Sequence, residues 1–243
     1  MLDTPRFGKP TRDEPAVKRP GQQRTRGAWG FALALTAACS PSPAHSAAGT
    51  SDTWSVDDET PVLRLADELE QRIAHGRDTP EQRRELYTRV RTRPVVTAED
   101  ALGRAIITGR LAQTGGLSAP GLVREVETYA RRSAKLDPSL REGAATRLLG
   151  TLYVMAPATI VRHGDSEDGL ALLQWVVRRW PEQAVNQLRL AEAYLALGDP
   201  QPARLPLCYC VAHREQLRED HQQLLDQLLE RVEAFECPRE SER

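Results

Sequence analysis

The stretch that decides the fold is Asn186-Gln-Leu-Arg-Leu-Ala-Glu-Ala-Tyr-Leu-Ala-Leu-Gly-Asp199. Its apolar residues recur at helical spacing in two adjacent stripes, one made of Ala184, Leu188, Ala191 and Leu195 and the other of Leu190, Tyr194 and Leu197. Two neighbouring stripes predict a helix that is covered on two sides, as inside a stack of helices. Gly198 predicts the end of this helix, and Asp199 can cap the next one.

The composition of the whole chain is that of a globular protein. Of its 243 residues, 40% are hydrophobic and 28% are charged. The formal net charge of −1 gives no reason to expect nucleic acid as a partner. Gly and Pro punctuate the sequence at short intervals, and no alternating pattern of β-branched residues appears. We therefore predict an all-α fold.

Large and small residues follow one another at fixed spacing around the deciding stretch, namely Leu190, Ala191, Tyr194, Gly198, Ala203, Leu207 and Cys210. This spacing resembles the tetratricopeptide repeat, a helix–turn–helix unit of about 34 residues. Further units resemble it less closely from Leu149 to Pro181, from Ala98 to Pro138 and, most weakly, from Leu63 to Pro94. The resemblance implies a TPR-like α-solenoid of antiparallel helix pairs with a concave face.

The last helix is predicted at about Glu219 to Glu236. Leucines line one side of it and charged residues line the other, which is typical of the capping helix of a solenoid. We therefore expect the repeat domain to extend over residues 61–237.

One turn of the array is longer than the repeat requires. Tyr153 and Gly164 are eleven positions apart, whereas the equivalent Tyr194 and Gly198 are four apart, so this turn holds seven extra residues. The apolar segment up to His163 either binds a partner, as loops often do, or covers the core. The candidate partner-binding residues are Tyr153, Met155, Ile160, Arg162, His163, Trp175, Asn186 and Tyr194. For Trp175, packing with Trp180 is the alternative.

A short apolar run lies near the start of the chain. It spans residues 28–38 and follows Arg24 and Arg26, which is typical of a secretory signal. The run is shorter than the roughly 20 residues of a membrane helix. Its end, Leu35-Thr36-Ala37-Ala38-Cys39, resembles the bacterial lipobox, although Thr36 replaces the usual large aliphatic residue. The resemblance implies lipidation of Cys39, and the alternative is an ordinary cleaved signal with an incidental cysteine.

These features divide the chain into a lipoprotein-type signal peptide at 1–38, a flexible tether at 39–60, the repeat domain and a disordered tail at 238–243. Ser40, where an Asp would signal retention, implies an outer-membrane anchor facing the periplasm. Acidic residues before the basic flank leave a translation start near Val17 as an alternative.

His163 stands close to Asp165, Glu167 and Asp168, and such a group resembles an acid–base site. We expect a structural role instead, with Asp165 as the N-cap and Asp168 supporting the helix start. Because no nucleophile or phosphate-binding motif appears, we expect no enzyme activity and no cofactor.

Cys208 and Cys210 lie near His213, but on a helix the two cysteines point about 200° apart. We therefore expect no metal site. A helical hairpin places Cys237 roughly 16 Å from Cys208, beyond the ~7 Å limit for a disulfide. We expect small buried free cysteines, with a disulfide as the alternative because Pro238 lets the tail bend back.

The expected function is a lipid-anchored scaffold that binds a protein or peptide in a complex of the cell envelope. The alternative is a solute-handling component of a tripartite periplasmic transporter, since the chain also resembles the T-component lipoproteins of the TRAP family. A hole through the repeats would favour that alternative, and a closed interior would count against it. A hydrolase based on a cysteine or on His163 is a third possibility.

Overall fold

Nine α-helices follow one another in the computed structural model, which describes residues 57, 59–115, 119–233 and 236–237. All of these residues belong to one compact unit. The helices are α1 (Val62–Ala74), α2 (Pro80–Val90), α3 (Ala98–Ala112), α4 (Ala119–Leu136), α5 (Ala144–Met155), α6 (Ser166–Arg179), α7 (Ala184–Ala196), α8 (Pro200–Ala212) and α9 (Glu219–Glu230). The predicted all-α fold is confirmed.

Side-chain caps explain where several helices begin. Thr79, Thr97 and Asp165 each accept a hydrogen bond from the backbone N–H three residues on, and each forms a reciprocal capping box. Gly198 ends α7 in the left-handed region with φ of 79°. Asp199 precedes α8 as predicted, but its side chain makes no capping hydrogen bond.

The helices pack as antiparallel pairs, α3 with α4, α5 with α6 and α7 with α8. The closest approach of α5 and α6 occurs at two glycines. A Cβ on Gly150 would lie 2.7 Å from Leu173 Cγ, and one on Gly169 would lie 2.7 Å from the Gly150 carbonyl oxygen. Any larger residue at either position would therefore separate the pair.

The first pair departs from the predicted hairpin between Leu63 and Pro94. Both α1 and α2 pack mainly on α3 and only weakly on each other. Gly103 of α3 lies against the start of α1, where a Cβ would come within 2.6 Å of the Leu63 backbone nitrogen. Because this glycine admits α1 so closely, α3 takes the place that α2 would have in a regular hairpin.

The last helix caps the array, with Leu225 and Leu228 buried beneath α7 and α8. It ends at Glu230, not near Glu236 as predicted. It also contacts α1, so that the first and last helices meet.

The expectation of free cysteines is wrong for Cys208, which forms a disulfide with Cys237 across a Cα–Cα distance of 5.4 Å. Our helical estimate of 16 Å fails because the chain leaves the helix after Glu230 and no longer advances by the helical rise. Cys210 is free and buried, as expected.

The predicted signal peptide, Cys39, most of the tether and the tail at 238–243 lie outside the described residues. The described end of the tether is held by Arg93, whose Nη1 donates to the Thr60 carbonyl at 2.7 Å. In the described part of the chain, no helix combines the length and the apolarity needed to cross a membrane.

Candidate functional site

A buried carboxylate holds the long turn between α5 and α6. Glu127 lies on α4 and is 1% exposed. Its oxygens accept hydrogen bonds from the backbone N–H groups of Arg162 at 3.0 Å and His163 at 2.8 Å. They also accept from the Tyr153 hydroxyl at 2.9 Å. We call this arrangement the Glu127 clasp, and it joins α4, α5 and the turn.

The clasp favours the ionised form of its carboxyl group. Burial by itself raises the pKa of Glu127, but the hydrogen bonds from Arg162, Tyr153 and His163 outweigh burial and hold that pKa below its usual value. Burial and the bond to the carboxylate raise the pKa of Tyr153 to about 12. The phenol therefore remains a donor at any physiological pH.

Apolar packing supports the same turn from below. Tyr153 and Val161 are buried in the core shared by α3, α4 and α5. Gly164 lies flat against the Tyr153 ring, where a Cβ would come within 2.4 Å of the ring carbons. Part of the inserted segment therefore covers the core, as one of the two alternatives held.

Other side chains of the segment remain accessible. Met155 is 54% exposed, Arg162 is exposed, and the His163 side chain is 51% exposed although its Nδ1 lies 3.2 Å from Glu127 Oε1. Ile160 is half-buried. The segment thus has a buried side that fixes it and an outer side that other molecules can reach.

Among the described residues, the His163 side chain makes no hydrogen bond or ion pair with Asp165, Glu167 or Asp168, the acids with which the sequence grouped it. Asp165 accepts from the backbone N–H groups of Glu167 at 2.9 Å and Asp168 at 3.0 Å, which is the predicted capping role. His163 contacts Glu127 instead of these acids.

The remaining candidate residues lie in other environments. The rings of Trp175 and Trp180 meet edge to face with centroids 5.6 Å apart, so the packing alternative describes this pair. Tyr194 packs against the small core of α5, α6 and α7 and accepts a hydrogen bond from Gln174 Nε2 at 2.9 Å. Asn186 is fully buried on α7. These residues do not form one site with the Glu127 clasp.

A second polar assembly connects α1, α3, α5, α7 and the start of α9. We call it the inner charge cluster, and its residues are Glu70, Arg110, Arg147, Arg189, Glu192, Arg218, Asp220 and His221. Glu70 accepts from Arg110 Nη2 at 2.7 Å and from Arg218 Nη2 at 2.6 Å. Arg218 also donates to Asp220 at 2.9 Å. Charged side chains therefore link α1 to the start of α9.

The cluster shifts the titration of its members. Burial alone would raise the pKa of Glu70, but Arg110 and Arg218 outweigh it and lower that pKa to about 2. Burial, followed by the charge of Arg189, lowers the pKa of His221 to about 3. Arg189 Nη2 lies 3.3 Å from His221 Nε2, and a neutral imidazole nitrogen can accept a hydrogen bond from this guanidinium group.

Arg147 of α5 lies close enough to the cluster for the charges of Arg189, Arg218 and Glu70 to act on it, and it contacts Asn186 of α7. Arg147 Nη1 donates to Asn186 Oδ1 at 2.6 Å. Burial and the nearby charge of Arg189 lower the pKa of Arg147 to about 10, which leaves it protonated at neutral pH. Asn186, a predicted binding residue, therefore contacts a half-buried cation.

Sequence reasoning missed Glu127 and the inner charge cluster. The burial of Glu127 could have been predicted from the sequence, because this residue lies within the apolar stripe of α4. The stripe is formed by Val123, Val126, Ala130 and Ala134. A carboxylate at core spacing must find donors inside the fold. No sequence pattern could have predicted the inner charge cluster, because Glu70 and Arg218 are 148 positions apart.

Two recesses open on the described surface. One, of about 540 Å³, is lined only by α2 residues. The other, of about 590 Å³, lies beside α1 and includes Glu70 and Arg218 of the inner charge cluster. Among the described residues, no group of His, Cys, Asp and Glu is arranged to hold a metal ion.

Comparison with known proteins does not assign this chain to a family. No protein family model matches the chain, and no curated protein matches it.

Proposed function

We propose that this chain is a lipid-anchored, TPR-type scaffold of a bacterial cell envelope, which binds a protein or peptide partner on its periplasmic side. Cys39 carries the lipid in this proposal. The inserted segment between α5 and α6 supplies the partner contact, and the helix pairs supply a rigid support for it.

The Glu127 clasp is the observation that carries the proposal. It fixes the segment through the backbone N–H groups of Arg162 and His163, so the Arg162 side chain is not needed to hold the turn. The His163 side chain adds a contact, since its Nδ1 lies 3.2 Å from Glu127 Oε1. Met155 is an exposed large apolar side chain at the edge of the same segment. A segment that is already ordered loses little conformational entropy on binding, which favours its use as a contact surface.

The disulfide supports the proposed compartment. Structural disulfides are rare in reducing cytosol and common in exported proteins. The bond between Cys208 and Cys237 therefore agrees with the signal-like run that ends at Cys39.

A photo-crosslinking experiment in intact cells tests the partner contact. A photoreactive amino acid at Met155 should give a discrete crosslinked product, whereas one at Leu205 should not. Leu205 is a matched control, because it is also a large apolar residue and is 65% exposed, but lies on α8. The Met155 product should weaken when Arg162 is changed to Ala, a change that keeps the backbone N–H donated to Glu127. Equal products from the two positions would contradict the proposed contact.

Substitution of Cys39 tests the anchor separately. Cys39→Ser should move the protein from the membrane fraction to the soluble fraction, because each buried methylene of an acyl chain contributes about 0.8 kcal/mol to membrane binding. A native N-terminal peptide without an acyl mass increment on Cys39 would refute the anchor but leave the partner contact standing.

The solute-handling alternative has one observation in its favour. The recess beside α1 has a volume of about 590 Å³, which is within the range of small-molecule sites. Its lining is mostly charged, whereas ligand pockets are mostly apolar. We therefore rank this function second.

A further inference from the structure

The disulfide between Cys208 and Cys237 encloses the whole of the last helix. The two cysteines are 29 positions apart, and α9 (Glu219–Glu230) lies entirely between them. Cys208 belongs to α8, so the bond ties the segment that follows α9 back to the preceding helix. With the bond in place, α9 can open only as part of a closed loop, which restricts the conformations of the open form. The bond therefore resists local opening of α9.

Non-covalent packing holds α9 less firmly than it holds α7. Leu225 and Leu228 are the buried residues of α9, every position of which the structure describes. By comparison, α7 buries eight residues over a similar length. Elements with few buried apolar contacts open locally at a lower free energy than the rest of a fold. We therefore expect α9 to depend on the disulfide more than the other helices do.

Polar contacts of α9 do not replace the disulfide. Arg214 pairs with Asp226 at 2.6 Å, but their side chains are 42% and 52% exposed, and such surface pairs contribute little. Arg218 pairs with Glu70 of α1 and fixes the start of the helix. Just after the helix, Arg231 Nη2 donates to a backbone carbonyl of α7 at 3.3 Å. The C-terminal end of α9 is therefore held mainly by the covalent bond.

The three cysteines of this region differ in what can reach them. Cys237 is exposed, whereas Cys208 and Cys210 are buried. A thiolate from solution can therefore attack the disulfide at the Cys237 sulfur. Cys210 Sγ donates to the Ala184 carbonyl oxygen at 3.4 Å, and burial raises the pKa of this thiol to about 12. Cys210 also lies about 200° around α8 from Cys208, so it does not compete for either partner.

We propose that this disulfide is a redox-sensitive switch, which a dithiol reductant of the Cys-X-X-Cys type breaks and which then allows α9 to open locally. One thiolate of the reductant attacks the Cys237 sulfur, forms a mixed disulfide and releases Cys208 as a thiolate. The second thiolate attacks the reductant's own sulfur in the mixed disulfide and releases Cys237. Two electrons pass to the protein, its two thiolates take up the protons that the reductant loses, and the reductant becomes a disulfide.

Local opening of α9 changes the surface of the neighbouring helices. Leu195 of α7, Leu207 of α8 and Leu217 share one core with the two buried leucines of α9. The open form lacks this cover and presents an apolar surface on α7 and α8, which is the kind of surface that binds other proteins. Helix α1 stays packed on α3, because that contact does not involve α9. The switch needs neither a lipid on Cys39 nor the contact at Met155.

Hydrogen exchange of the purified full-length protein, measured by mass spectrometry, tests the switch. Incubation with dithiothreitol, a small dithiol, should accelerate exchange in α9 roughly tenfold or more and leave α3 to α6 unchanged. Alkylation should then label Cys208 and Cys237 before Cys210. Removal of the reductant and reoxidation should restore slow exchange. Cys210→Ala is the matched control and should respond to dithiothreitol as the wild type does.

Three results would overturn the inference. The first is a bond that dithiothreitol does not reduce in the folded protein, and the second is unchanged exchange in α9 once the bond is reduced. The third is equal acceleration in all helices, which would make the disulfide a staple of the whole domain. The double variant Cys208→Ser with Cys237→Ser should exchange rapidly in α9 with or without the reductant. If this variant does not fold, the wild type with and without dithiothreitol decides. The Met155 crosslink is unaffected, so the two proposals can fail independently.

Discussion

The Glu127 clasp and the inner charge cluster are both buried polar assemblies, but they are built from different partners. In the clasp, one carboxylate accepts hydrogen bonds from two backbone N–H groups and a phenol, which are neutral donors. In the cluster, Glu70 accepts hydrogen bonds from two arginines, and one of these, Arg218, lies near the other end of the domain. The clasp positions a local turn, whereas the cluster joins the first helix to the last. This difference predicts separate responses to mutation and to pH.

Removal of Glu70 should have the largest effect on stability. Glu70→Ala removes the carboxylate that Arg110 and Arg218 share. We expect a loss of about 3 kcal/mol, the lower end of the range for a broken buried pair, because Asp220 remains a partner of Arg218. Urea unfolding followed by circular dichroism measures the change. Glu68→Ala, at an exposed position on the same helix, is the control and should stay within about 0.5 kcal/mol of the wild type. Equal losses in both variants would mean that the cluster does not hold α1.

Acid should weaken the cluster before it weakens the clasp. The pKa of His221 is about 3 in the folded protein and near 6.5 when unfolded, so the unfolded chain binds an extra proton between these values. The contribution of His221 to the free energy of unfolding is therefore fully present above pH 6.5. It falls by about 1.4 kcal/mol per pH unit as the pH drops towards 3. Below about 4.5, protonation of Glu70 in the unfolded chain adds to the loss.

Replacement of the histidine identifies this contribution. His221→Gln should flatten the stability profile between pH 6.5 and 4.5, and His75→Gln, at an exposed site on the surface after α1, should not. A profile for His221→Gln that parallels the wild type would show that the imidazole is already charged in the folded state.

Altering the acceptor of the clasp should reduce the stability of the protein less than removing Glu70 from the cluster does. Glu127→Gln keeps the size of the side chain but turns one acceptor oxygen into a donor, which leaves a buried N–H group without a partner. We expect a loss of about 1–3 kcal/mol. Hydrogen exchange at Arg162 and His163 should accelerate, while exchange in α7 stays slow. Glu167→Gln, at an exposed position on α6, controls for loss of charge and should change neither measurement.

The smallest effect on stability is expected at Arg162. Arg162→Ala keeps the backbone N–H that donates to Glu127, so the free energy of unfolding should change by less than about 0.5 kcal/mol. The crosslink at Met155 should nevertheless weaken, because the side chain belongs to the proposed contact. A stability loss as large as that of Glu127→Gln would show that the side chain, and not the backbone, holds the turn.

Sequence periodicity was sufficient to predict the helix pairs but not the polar assemblies. Ala184, Leu188, Ala191 and Leu195 are all buried as their spacing predicts, because steps of three and four residues return to the same face of a helix. The cap at Asp165 was also predictable, since capping depends on residues three positions apart. Both features are local.

Contacts between distant positions left no such signal. The disulfide between Cys208 and Cys237 depends on where α9 ends, and helix ends are the least certain part of a pattern. The lipid on Cys39 and the partner contact stay predictions, to be tested by the experiments above.

The link between Glu70 and Arg218 bears on how the molecule reaches its final state. Synthesis delivers α1 first and its arginine partner last, since 148 positions separate them. Until then the Glu70 carboxylate can rely only on Arg110. Closure of the array is therefore a late event, because long-range contacts form only after a large loss of chain entropy. Shortening the chain before Arg218 should leave the earlier helix pairs intact and α1 packed on α3, but should remove one of the two arginines that hold Glu70.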